Sequence, residues 1–158
     1  MVQILLFSFS FQLSVGITLS ATGLTRIVTF TPYYFILNNC KTAIEVKEYS
    51  ENTEWIQVEA GALFSCLVFV QCVALWPKEV QKLELFAKYA KTEECSVPFS
   101  CKETNFVLLK IPNKKGGMYM NCQVGESAAV VGFSDYEEGL SPVLMVNHSS
   151  MTLSYCQA

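Results

Sequence analysis

A chain of 158 residues is about one domain, long enough to bury a core without a metal or disulfide staple. Its net charge of −3 and isoelectric point near 5.2 exclude the basic footprint of a nucleic-acid binder. Hydrophobic residues make up 51% of it, and much of the excess lies in residues 1–20 and 62–71.

Met1 to Ser20 carries no charge. Small residues at Leu19-Ser20-Ala21 suit a signal cleavage site, yet no basic residue precedes the apolar run. A membrane-spanning helix is opposed by Ser8, Ser10, Gln12 and Ser14. The remaining reading is a further β-strand, or sequence outside the fold.

From Leu24 to Val46 the chain reads as strands. Ile27, Val28, Phe30, Tyr33, Tyr34, Phe35 and Ile36 are β-branched or aromatic, and Pro32 cannot donate to a ladder, so it divides the run. Asn38 and Asn39 can end a strand by taking positive φ and bonding their own backbone. Ile44 and Val46 then alternate with polar neighbours. Residues 54–59 and 72–76 read as further strands, with Trp55 as a core anchor. Lys82 to Tyr89 suits either a strand or two helical turns. Thr92 to Thr104 reads as a polar loop. Strands follow at 106–111, 117–124 and 128–134, the first two joined by a turn through Gly116-Gly117.

Pro142 to Tyr155 repeats the earlier pattern: an apolar strand over 142–147, an asparagine at Asn147, small polar residues, then alternation. Ile44 and Leu153 lie six residues after their asparagines, and Val46 and Tyr155 eight. Short strands separated by turn signals indicate an all-β, antiparallel sandwich unit and the start of a second.

Catalytic signals are thin. The single histidine, His148, lies in a turn, and Glu93-Glu94 and Glu137-Glu138 are loop neighbours that need not converge. No catalytic residue, metal site or cofactor is expected. The seven cysteines show no CxxC spacing, which favours small buried hydrophobes over a zinc ribbon. If the chain were secreted they could form disulfides, and Asn147-His148-Ser149 would be a glycosylation sequon. That alternative is a small secreted β-sandwich interaction domain.

GLTRIVTFTPYYFILNN (Gly23 to Asn39) resembles the vacuolar protein sorting-associated protein 13 family of bridge-like lipid-transfer proteins, in its adaptor-binding region. EWIQVEAG, a Cys72-Val73-Ala74-Leu75-Trp76-Pro77 segment, LLKIPNKKGGMYM and GFSDY carry the resemblance on, and VLMVNHSS resembles the opening of a next repeat. The division it implies is one repeat over 23–141, the start of another over 142–158, and an unassigned apolar segment over 1–22. ALFSCLVFVQ (62–71) looks inserted. It and the opening MVQILLFSFSFQ have the composition of translated pyrimidine tracts ending at a splice acceptor.

The resemblance implies a non-enzymatic interaction module, cytoplasmic and peripheral at organelle contact sites. Its partners would be proline-containing adaptor peptides of organelle membrane proteins and neighbouring repeats, with lipids engaged only through a full-length protein. Asn38 and Asn147 are the positions it carries over as repeat-defining or peptide-binding. Tyr33, Tyr34 and Phe35 beside Asn38 are the aromatic candidates for peptide contact.

Overall fold

The computed structural model describes residues 2–6, 9–50, 53–61, 72–78, 82–112, 116–138 and 146–154. Twelve strands form three sheets in them, with no α-helix among the described residues. The first sheet has the order β1 (Val2–Leu6), β2 (Phe9–Leu19), β3 (Arg26–Pro32). The other two sheets make the body of the molecule, an all-β sandwich.

The larger body sheet has five strands, in the order β10 (Asn105–Leu109), β11 (Met118–Val124), β12 (Ala129–Asp135), β4 (Tyr34–Asn38), β7 (Cys72–Leu75). Its partner has the order β6 (Ile56–Val58), β5 (Ile44–Glu48), β8 (Glu84–Tyr89), β9 (Phe99–Ser100). Period-2 alternation decides which side chains face inward. Tyr34, Ile36 and Asn38 of β4 are buried while Phe35 and Leu37 are half-buried on the opposite face. Leu85, Ala87 and Tyr89 of β8 are buried, which settles that segment as a strand. The two inner faces share one core, in which Phe99 meets Phe133 edge-on at 5.9 Å. Each such large buried side chain contributes about 1.5–3 kcal/mol through the water it excludes.

Among the described strands all pairs are antiparallel except one. β12 runs parallel to β4, with Phe133 opposite Asn38, so the last body strand lies beside the first. This pairing places the Asn38 turn against residues almost a hundred positions away.

Several expectations need correction. Trp55 is exposed rather than a core anchor, because β6 is short and points Ile56 and Val58 inward, leaving Trp55 on the other parity. The Lys88 ammonium covers its ring at 4.7 Å and also pairs with Glu45 at 2.9 Å. Asn38 and Asn39 do not take positive φ; Lys91 is the only non-glycine residue that does among those described. The polar loop at 92–104 contains β9, anchored by Ser96, whose buried hydroxyl accepts the Ala87 N–H at 3.1 Å. Cys40, Cys101 and Cys122 are buried free thiols, Cys95 is half-buried and Cys72 is exposed. The segment 62–71 lies outside the described residues, as does most of the expected 142–147 strand.

Candidate interaction surface

Asn38 closes the end of β4. Its amide nitrogen donates to the carbonyls of Thr42 (3.0 Å) and Val58 (2.9 Å), and its oxygen accepts the Cys40 N–H at 2.9 Å. Both donor hydrogens and the acceptor are therefore used, and the side chain is 1% exposed. The backbone around it is equally tied. Gly61 N donates to the Asn38 carbonyl at 2.8 Å, so close that a Cβ on Gly61 would lie 2.5 Å from that oxygen. Asn39 N donates to the Phe133 carbonyl at 2.7 Å.

Asp135 completes this turn from the end of β12. One carboxylate oxygen accepts the Lys41 N–H at 2.8 Å and the other accepts the Tyr89 hydroxyl at 2.9 Å. Burial first, and then the bond to Asp135, push the Tyr89 phenol well above its ordinary range. The result is a rigid junction of β4, β5, β6, β8 and β12 held by one asparagine and one aspartate.

Asn147 makes the same local pattern in an exposed setting. Its amide nitrogen donates to the Met151 carbonyl at 2.8 Å and its oxygen accepts the Ser149 N–H at 2.8 Å. Tyr33 and Tyr34 are buried and meet edge-on at 5.0 Å, with the Tyr33 hydroxyl on the Gly125 carbonyl at 2.8 Å. Burial, and then the neighbouring Tyr33, raise the Tyr34 phenol above its ordinary value. Phe35 alone of the three aromatics turns to the outer face. The structure thus gathers Tyr33, Tyr34 and Asn38 into the core, and keeps Asn147 apart from them on the surface.

The outer face of the five-stranded sheet holds a feature that no sequence motif marks. One row across the sheet reads Phe106, Asn121, Gly132, Leu37, from β10 to β4. Gly132 has no side chain to fill its place in that row. The hollow is a groove of about 190 Å³ lined by these four residues with Asn39, Gln123, Val130, Phe133 and Ser134. None of them is ionisable. Phe106, half exposed, stacks on Tyr119 at 5.4 Å and makes an aromatic wall beside it. The alternation of β11 held the clue: Met118, Met120 and Cys122 point in, so Tyr119, Asn121 and Gln123 point out.

Among the described residues no group of three or more His, Cys, Asp or Glu side chains could hold a metal ion. His148 is exposed. The Cys101 thiol is held up by its hydrogen bond with the Cys122 thiol and by burial, and both residues are fully buried. Among the described residues no helix is long and apolar enough to cross a membrane.

The family model for the vacuolar-sorting associated protein 13 adaptor binding domain matches residues 10–158, beginning thirteen residues before Gly23. The mouse intermembrane lipid transfer protein VPS13A is 30% identical over 139 residues, covering 88% of this chain and 4% of its own length. Mouse VPS13C is 28% identical over 155 residues, covering 94% of this chain, and human VPS13C is 28% identical over 145 residues, covering 88%. This chain spans about 4% of the length of each of these curated relatives. A β-sandwich with an asparagine-clamped turn and a match over nearly all its residues belongs to the vacuolar-sorting associated protein 13 family, in the adaptor binding domain.

Proposed function

We propose that this chain is an adaptor-binding interaction module of an intermembrane lipid-transfer protein, cytoplasmic and peripheral at organelle membranes and contact sites. It captures proline-containing segments of adaptor proteins in those membranes and so directs the protein that carries it. The observation that carries this reading is the adaptor-binding match over residues 10–158. The surface chemistry supports it: the body offers an uncharged groove with amide side chains, and a rigid scaffold behind it. A proline-containing segment is already extended, so it loses little entropy on docking. Asn38, Tyr33 and Tyr34 serve in this reading by holding the scaffold, and Asn147 by opening a second unit. The secreted alternative, with disulfides and a glycosylated Asn147, is not favoured by membership of this family.

The test is recruitment in cells. A fluorescently tagged chain is expressed beside a Pro-x-Pro peptide fused to a mitochondrial outer-membrane anchor facing the cytosol. Movement of the tag to mitochondria, abolished when both prolines become alanine, is the expected result. A tag that stays diffuse, or a glycosidase-sensitive secreted product, would overturn the reading.

A further inference from the structure

We infer that the ribbon of β2 and β3 is a self-association surface, on which a second copy of this chain packs face to face. The inference goes beyond the adaptor-binding reading and stands independently of it.

The pairing of β2 with β3 sorts their side chains, because residues directly opposite each other in an antiparallel pair share a face. One face carries Leu13 opposite Pro32, Val15 opposite Phe30, Ile17 opposite Val28, and Leu19 opposite Arg26. The other carries Ser14 opposite Thr31, Gly16 opposite Thr29, and Thr18 opposite Ile27. An apolar side backed by a side of mostly hydroxyls is the pattern of one half of a sandwich. Nothing among the described residues covers that apolar side: Ile17, Leu19, Val28 and Phe30 are 66%, 64%, 50% and 58% exposed. At the foot of the ribbon the polar side is covered instead. Gln12 and Ser14 are buried there, and the Tyr33 N–H donates to the Gln12 carbonyl at 3.3 Å.

Area, charge and shape make a second copy the occupant. The four open side chains together present roughly 500 Å², the scale at which an exposed apolar patch marks a binding face. Two such faces bury roughly 1,000 Å², where specific protein interfaces begin. The face carries no carboxylate, and its one cation, Arg26, sits on the outermost rung. A two-fold axis through the Gly16–Thr29 rung lays Ile17 and Val28 of one ribbon over Val15 and Phe30 of the other. Both Arg26 side chains then stay at the rim, in water, and no like charges are buried together. The same patch serves on both copies, as an isologous contact requires.

Sedimentation velocity of the full chain, run from about 1 to 200 μM, tests this. The wild type is expected to pass from monomer to dimer with a Kd of roughly tens of micromolar. Ile17→Lys and the double variant Val28→Thr/Phe30→Thr are expected to weaken the dimer about tenfold or more. Both remove side chains exposed in the single chain, so neither leaves a cavity, and circular dichroism verifies folding. Thr29→Lys, on the opposite face, is expected to leave the dimer unchanged. A dimer insensitive to the first two variants, or weakened equally by Thr29→Lys, overturns the interface. So does a wild type that stays monomeric at the highest concentration or grows into species larger than a dimer. A monomer that cosediments with phosphatidylcholine vesicles, and loses them in Ile17→Lys, overturns it in favour of a lipid surface.

Discussion

Asn38 and Asn147 make the same pair of hydrogen bonds: the amide nitrogen to the carbonyl four residues on, and the oxygen to the N–H two residues on. The two differ in surroundings. Asn38 also bonds the Val58 carbonyl and is buried, whereas Asn147 is exposed. The local turn is thus encoded within five residues, and its energetic weight is set by what packs over it.

That difference predicts unequal costs for the same substitution. Asn38→Ala leaves buried carbonyl and N–H groups without partners and should destabilise by about 3 kcal/mol. Asn147→Ala removes bonds that water can replace and should stay within about 0.5 kcal/mol. Urea unfolding followed by tryptophan fluorescence checks both. Equal losses would contradict the burial argument.

Stability should fall on the alkaline side through Tyr89. Its phenol titrates above the ordinary 10.0 in the folded chain because it is buried and bonded to Asp135. Below that value Tyr89 is neutral in both states and its contribution is fully present. Above it the unfolded chain ionises first, so stability is lost as pH rises. Tyr34 is shifted in the same direction and adds to the effect. Thermal melts between about pH 8 and 11 should show a shallower decline in Tyr89→Phe than in the wild type. Identical slopes would remove Tyr89 from the account.

Phe133 and Trp55 should behave oppositely. Phe133 is fully buried and touches Phe99, so Phe133→Ala should cost about 3–5 kcal/mol. Trp55 is exposed and holds Lys88 over its ring, so Trp55→Ala should cost about 1 kcal/mol or less. Chemical denaturation of the two variants, followed by far-ultraviolet circular dichroism, decides it.

The contrast shows what was legible in the sequence. Residue type and turn signals gave most of the strands, alternation gave the inward face of β5, and the asparagines gave both turns. Trp55 was misplaced because size was weighed above parity: Ile56 and Val58 fix the inward face of β6, and Trp55 falls between them. β9 escaped notice because two residues carry no period. The parallel pairing of β12 with β4 is a long-range choice that no local pattern encodes, and the groove follows from it. Gly132 reads as a small residue in an apolar strand until Asn121 and Leu37 are known to flank it.

The most direct measurement of the central claim is a nuclear magnetic resonance titration of the isotope-labelled chain with an unlabelled Pro-x-Pro peptide. Binding in the range of roughly tens of micromolar should appear as shifts that move with peptide concentration. The shifts should fall on the two body sheets, with the Asn38 side-chain amide unmoved because its bonds are already made. An unchanged spectrum at millimolar peptide, or shifts confined to β1, β2 and β3, would contradict the account.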